Sequence, residues 1–214
     1  MANSDGLLEL LNFIAAPRVV DRIRDLCGTP PLFNNTQYFA EPESKAWVGI
    51  WHRDCQFLAA DEAAETTLRE RFTGVHLHIA LVADDSLAYV PGSQGRIDTP
   101  AERRIRWAPE KAVRCSEAMP GARRIVLRAG DAVLFNAWGI HQGRYDPARA
   151  RRTLDILYQF GELCREVVPP PTCFEDSAIL ERASPEAQAF FGRFIDAYAP
   201  LWAAGEHAWA DGMI

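Results

Sequence analysis

From Gln37 onward the chain is cut into short β-prone runs, at about 36–41, 46–54, 74–83, 87–91, 124–128, 132–136 and 152–160. Seven short strands separated by turns read as an antiparallel sandwich or barrel. Ala129-Gly130-Asp131 has the composition of a tight turn and is expected to join two of them as a hairpin. Helical patterns flank these runs. Ser4 or Asp5 can cap a first helix to about Ala15, and Pro17 to Leu26 reads as a second, with Gly28 just past its end. Ser184-Pro185-Glu186 opens a last helix through about Ala199. The expectation is a mainly β single domain with flanking helices: a helical brace at about 4–28, a barrel at about 34–160 and a C-terminal helical segment at about 178–200.

Composition removes several function classes. The chain's 214 residues fit one domain with a real core, and 48% hydrophobic against 24% charged residues is a globular balance. A net charge of -6 argues against a nucleic-acid-binding surface. Five cysteines, odd in number and without a CxxC pair, favour free thiols in a reducing compartment. The Leu7-Leu8-Glu9-Leu10-Leu11 run has no basic flank, carries Glu9 and stops at Pro17, so it reads as neither secretory signal nor membrane span. A cytoplasmic protein without membrane or nucleic-acid partners is expected.

Two segments interrupt the β pattern. Residues 55–73 are helix-prone and charged, and 95–123 carries Arg96, Arg103, Arg104, Arg106, Arg114 and Arg123. So long a loop in a compact domain is usually a lid or binding element, which would suit an anionic small molecule. The interspersed Asp98, Glu102, Glu110 and Glu117 also allow a plain solvated loop. Phe190, Phe191, Phe194, Ile195 and Tyr198 stand at helical spacing, as core packing or a homodimer contact would require.

The chemistry-bearing residues are His52-Arg53-Asp54 and a distant His141. On a strand, residues two apart share a face, so His52 and Asp54 reach one metal ion while Arg53 points away. His141 would complete two imidazoles and a carboxylate on one side of an ion, leaving its other positions open, as in non-haem iron oxygenases. Cys55 lies on the opposite face and reads as a packed thiol. Eleven positions past His141 stands Arg152, sharing its period-2 face with Leu154, Ile156, Tyr158 and Phe160. A guanidinium on an apolar face needs an anion held in bidentate fashion. The far carboxylate of 2-oxoglutarate and a protein Asp or Glu both satisfy that. Trp51, Phe57, Phe135 and Trp138 flank the ligands, as pocket lining or as core.

The order of these pieces resembles the phytanoyl-CoA dioxygenase family: His52-Arg53-Asp54, a strand from Leu77 to Asp85, Pro91-Gly92-Ser93-Gln94, Gly130-Asp131-Ala132-Val133-Leu134-Phe135, His141 and Arg152. The likeness covers about residues 34–160. It implies a double-stranded β-helix of the jelly-roll, cupin-like kind, with iron(II) on His52, Asp54 and His141. It also implies 2-oxoglutarate as co-substrate, anchored on Arg152 with contributions from His78 and Thr153, and O2 as oxidant. The implied reaction is hydroxylation of an unactivated C–H bond of a small molecule, with succinate and CO2 as co-products. Trp51, Phe57 and Trp138 become candidate substrate-pocket residues. Halogenating relatives lack the carboxylate, so Asp54 favours hydroxylation.

The chain departs from the pattern at two motif positions. Gly143 replaces a hydroxyl residue two after the distal His, with Thr153 or Tyr38 as candidate substitutes, and Gln94 replaces the His after Pro-Gly-Ser. Less sequence precedes the His-x-Asp strand than in most members, so part of the pocket is expected to be reduced or supplied by another subunit. Two rival readings are a cupin-like metal-binding isomerase and a non-catalytic small-molecule-binding barrel. Both account for the two His and the Asp, and the first leaves Arg152 without a purpose.

Overall fold

The computed structural model describes residues 4–40, 46–116, 118–163, 172–174 and 178–205. Two helices open the chain, α1 (Ser4–Ile14) and α2 (Pro17–Cys27). Pro17 starts α2, where its missing N–H costs nothing, and Gly28 ends it at φ 75°, a left-handed cap that lets its N–H reach the Arg24 carbonyl. The strands are β1 (Leu32–Phe39), β2 (Trp47–Val48), β3 (Phe72–Ala80), β4 (Leu87–Tyr89), β5 (Arg123–Arg124), β6 (Ala132–Asn136), β7 (His141–Tyr145) and β8 (Thr153–Gly161). Between them lie α3 (Glu62–Arg71), α4 (Pro100–Arg106) and α5 (Lys111–Arg114), and after them α6 (Ala178–Glu181) and α7 (Pro185–Ala203).

The strands form two four-stranded sheets, ordered β1-β8-β3-β6 and β2-β7-β4-β5. β6 runs antiparallel to β3, and β7 lies antiparallel between β2 and β4. The chain divides into two compact units, Met1–Asn35 with Tyr158–Ile214, and Thr36–Leu157. In the first, Phe33 meets Phe191 and Phe194 edge-on at 5.2 Å each, so the aromatic stripe of α7 is core. In the second, Trp51, Ala88, Val90, Met119 and Ile140 make a buried apolar cluster. No described helix is long and apolar enough to cross a membrane. The described cysteines, Cys27, Cys55, Cys115 and Cys173, are free; Cys164 lies outside the described residues.

The structure corrects several sequence expectations. The predicted strand 46–54 survives only as Trp47–Val48: Gly49 still donates to Gly143, but further on the N–H groups leave the ladder, Trp51 donating to Arg114 and Asp54 to Ala137. Pairing returns at His52, opposite His141. The four steps from Val48 to His52 oppose three from Arg144 to His141, a one-residue bulge that re-aims the strand. The predicted hairpin at 129–131 is instead a passage between sheets, since β5 pairs with β4 and β6 with β3. Strand β7, with its glycine and charges, carried no β signal. Segment 95–123 is no open loop: it holds α4 and α5, and a Thr99–Glu102 capping box starts α4. Glu117 is outside the described residues.

Candidate metal centre

His52 and His141 bridge each other through the backbone, each N–H donating to the other's carbonyl at 3.0 and 2.9 Å. Asp54 does not reach them by strand alternation. It begins a 3-10 turn, Asp54–Leu58, and its N–H donates to Ala137 at 3.0 Å, so His52, Asp54 and His141 converge from a bulged segment and the start of β7. One ligand atom from each lies within 4.8 Å of the others. Asp54 Oδ1 is 3.4 Å from His52 Nε2 and 3.2 Å from His141 Nε2.

Both imidazoles are oriented from behind. His52 Nδ1 donates to the Ile50 carbonyl at 2.8 Å and His141 Nδ1 to Gly139 at 2.9 Å, which leaves both Nε2 lone pairs facing Asp54. Burial, with the neighbouring His52, lowers the pKa of His141, keeping it in the neutral form that a metal requires. Burial alone would raise Asp54, but His141, His52 and His76 together hold it well below the usual carboxylate range. Gly139 has no room for a side chain, because a Cβ there would collide with the Tyr89 ring.

Arg53 points away from this centre, as alternation predicted, and is fully buried. It donates to Ser93 O at 2.7 Å, to Trp138 O and to Asp98 at 2.8 Å. Arg106 closes the cluster with contacts of 2.5 Å each to Asp98 and Glu65. Ser93 Oγ accepts the Ile140 N–H at 2.7 Å. The His-x-Asp and Pro-Gly-Ser segments and the approach to His141 are thus tied by buried, charge-assisted bonds. Three arginines of 95–123 are committed to ion pairs, Arg96 with Glu102, Arg103 with Glu62 and Arg106 as above, so they are not receptors for an anionic substrate.

The neighbouring wall is built from β3 and β8. His76 Nε2 lies 2.8 Å from Asp54 Oδ2, and His78 sits between Asp155 Oδ1 at 2.5 Å and Asp84 Oδ2 at 3.1 Å. Burial pulls both histidines down, but their carboxylate partners outweigh it and hold each at about 9. Asp155 is held at about 2 by the same two histidines, against its burial. Asp155 shares its β8 face with Thr153, and the preceding position of that alternation is Arg151. Arg151 is buried, stacked over Phe39 at 4.5 Å, and its Nε has no hydrogen-bond partner among the described residues. Thr153 is fully buried and its Oγ1 is likewise unpartnered.

The model of the family described as phytanoyl-CoA dioxygenase matches residues 4–152. The chain belongs to the phytanoyl-CoA dioxygenase family. No curated protein matches it in sequence. Among solved structures, the epimerase SnoN from nogalamycin biosynthesis is 20% identical with a TM-score of 0.50, covering 70% of this chain and 55% of its own. This chain therefore spans little more than half of SnoN's length. The non-haem monooxygenase ThoJ in its apo form is 18% identical with a TM-score of 0.50, over 89% of this chain and 75% of its own. EctD from S. alaskensis, in its apo form, is 18% identical over 69% of this chain and 51% of its own, with a TM-score of 0.48. The fold is the double-stranded β-helix of this family.

Against the family pattern, the structure redistributes the predicted residues. Both arginines precede β8, which starts at Thr153; Arg152 is exposed there, and Arg151, stacked over Phe39, is the buried one. The apolar face of Ile156, Tyr158 and Phe160 is core, whereas the face toward His76 and His78 bears Arg151, Thr153 and Asp155. Both ring nitrogens of His78 are taken by carboxylates, so it has none left for a co-substrate. Trp51, 1% exposed, belongs to the apolar core, and Trp138 packs edge-on against Phe72 at 5.1 Å. Phe57, 38% exposed and 5.0 Å from the His52 ring, remains at the site's open side. The Trp47 ring covers Gly143, while Tyr38 is exposed. Cys55 is a packed thiol, pushed up to about 12 chiefly by burial.

Proposed function

We propose that this protein is an iron(II)- and 2-oxoglutarate-dependent oxygenase that hydroxylates a C–H bond of a small molecule, with succinate and CO2 as co-products. His52 Nε2, Asp54 Oδ1 and His141 Nε2 would hold the iron. Bound iron(II) would supply O2 activation coupled to decarboxylation of the 2-oxo acid. Arg151, rather than Arg152, would receive the far carboxylate of 2-oxoglutarate, assisted by the Thr153 hydroxyl. One observation carries this reading: the buried Arg151, whose Nε has no hydrogen-bond partner among the described residues, and the buried, likewise unpartnered Thr153 hydroxyl alternate on one strand with Asp155, in the wall that holds His76 against Asp54. A metal barrel that takes no 2-oxo acid has no use for that pair.

The chain's own groups do the remaining work. The Ile50 and Gly139 carbonyls fix the imidazole tautomers, and Phe135, 5.3 Å from His141, excludes water from the apolar side. Phe57 stands where a substrate would approach. Anaerobic addition of iron(II) and 2-oxoglutarate should produce a weak visible charge-transfer band, and admission of O2 should release succinate. A protein that binds iron(II) but gives neither would overturn the oxygenase reading in favour of the binding barrel.

A further inference from the structure

We infer that His76 is a positioning residue of this centre: by holding one oxygen of Asp54, it restricts that carboxylate to the metal through the other oxygen alone. The inference rests on the metal reading above and adds a residue to it. The two carboxylate oxygens of Asp54 meet different partners. Oδ1 faces the Nε2 atoms of His52 and His141, at 3.4 and 3.2 Å, whereas Oδ2 lies 2.8 Å from His76 Nε2. A carboxylate that turns both oxygens to a metal takes two of its positions. One whose second oxygen accepts an N–H takes a single position and loses its freedom to rotate.

His76 is built to stay in place. Its ring lies parallel to Phe135 at 5.0 Å with 9° between the planes, and the same Phe135 meets His141 edge-on at 5.3 Å. The two residues are direct partners across β3 and β6, so the stack is set by sheet register. On the far side, Asp155 Oδ2 lies 3.8 Å from His76 Nδ1, an ionic neighbour beyond hydrogen-bond distance. The ring is therefore fixed by Phe135 and β3 while its Nε2 is aimed at Asp54. The positions it keeps open are those a co-substrate chelating through two oxygens needs. Purely structural packing of His76 would be indifferent to which atom faces Asp54.

The test uses Co(II) as an anaerobic probe of the intact protein, reading affinity and ligand-field absorption without turnover. His76→Leu removes the N–H and keeps similar bulk; His76→Gln keeps an amide N–H that can reach Asp54. His76→Leu should bind Co(II) roughly 10- to 100-fold more weakly, with a shifted ligand-field band, and His76→Gln should regain most of both. Wild-type affinity and spectrum in His76→Leu would overturn the inference, as would a folded His76→Gln no better than His76→Leu. If His76→Leu does not fold, His76→Asn, whose shorter amide falls short of Oδ2, replaces it, and equal affinity of the Asn and Gln variants overturns the inference. The parent reading has its own control: wild-type Co(II) binding that survives Asp54→Ala would sink the metal centre and His76's part in it together.

Discussion

Replacing Arg151 separates a co-substrate anchor from a structural cation. The side chain is 8% exposed, its Nε has no described partner, and its surroundings are the Phe39 face at 4.5 Å, the Trp47 face at 5.9 Å and the charges of Asp84 and Asp155, with no ion pair to either among the described residues. A cation over aromatic faces is worth roughly 0.5–2 kcal/mol, and burial, which lowers the pKa of Arg151, works against the charge. Arg151→Gln should therefore cost at most about 2 kcal/mol of stability, a fall in Tm of several degrees. The loss of a charge-assisted pair with a bound carboxylate is larger, roughly 2–5 kcal/mol, or about thirty-fold and upward in apparent KM for 2-oxoglutarate. Iron(II) affinity should hardly change. Arg151→Lys should recover only part, since an ammonium cannot offer the two-pronged contact. Arg152→Gln, at an exposed position, should leave KM near wild type. Succinate-release kinetics and thermal melts on the three variants decide the matter. A steep KM increase in Arg152→Gln, with Arg151→Gln unaffected, would refute the assignment of faces on β8.

Other outcomes follow from the same geometry. His52→Ala, Asp54→Ala and His141→Ala should each abolish iron(II) binding and succinate formation with the circular dichroism spectrum retained, which metal titration and spectra would check. Arg106→Met takes from the buried carboxylates of Glu65 and Asp98 one of their two arginine partners, Arg53 being the other, and should cost about 3 kcal/mol, several degrees in Tm. Glu102 is held at about 2, below its ordinary 4.5, by Arg96 and the Thr99 cap despite its burial. A depressed acid stabilises the fold above its unfolded pKa and loses that contribution as pH falls from about 4.5 toward 2. Glu102→Gln should flatten acid unfolding curves in that window by about 1–2 kcal/mol, allowing for the part-exposed Arg96, and leave the neutral-to-alkaline slope unchanged.

Sequence carried much of the architecture and of the centre. The His52, Asp54 and His141 grouping was legible because ligand chemistry restricts residue type, and the α2 and α7 boundaries because Pro17, Gly28 and Ser184 act through local backbone chemistry. What failed depends on distant partners. The strand argument for His52 and Asp54 named two residues that the structure does bring together, but by the wrong geometry, since bulge and 3-10 turn follow from where Trp51 and Asp54 find acceptors. The burial of Arg151 was missed because period-2 reasoning assumes one buried face, and β8 has two. Asp155 and Asp84 were missed because an acidic residue is read as solvated unless its partner is known. The alternation His76, His78 on one strand and Arg151, Thr153, Asp155 on another was the available signal.

The buried cluster of Arg53, Glu65, Asp98 and Arg106 divides the neighbourhood of the centre into two kinds of position. The groups that keep the ligand backbone in register sit behind it and are sealed from solvent. Phe57, on the open side, belongs to none of those bonds. Changes of size or polarity at such a front position alter what can be admitted while leaving those buried bonds in place. A change behind it, even a conservative Arg53→Lys, removes a planar fork that no ammonium replaces. Substrate preference can thus drift, or be re-engineered, through the front rim while the reactive frame is inherited unaltered.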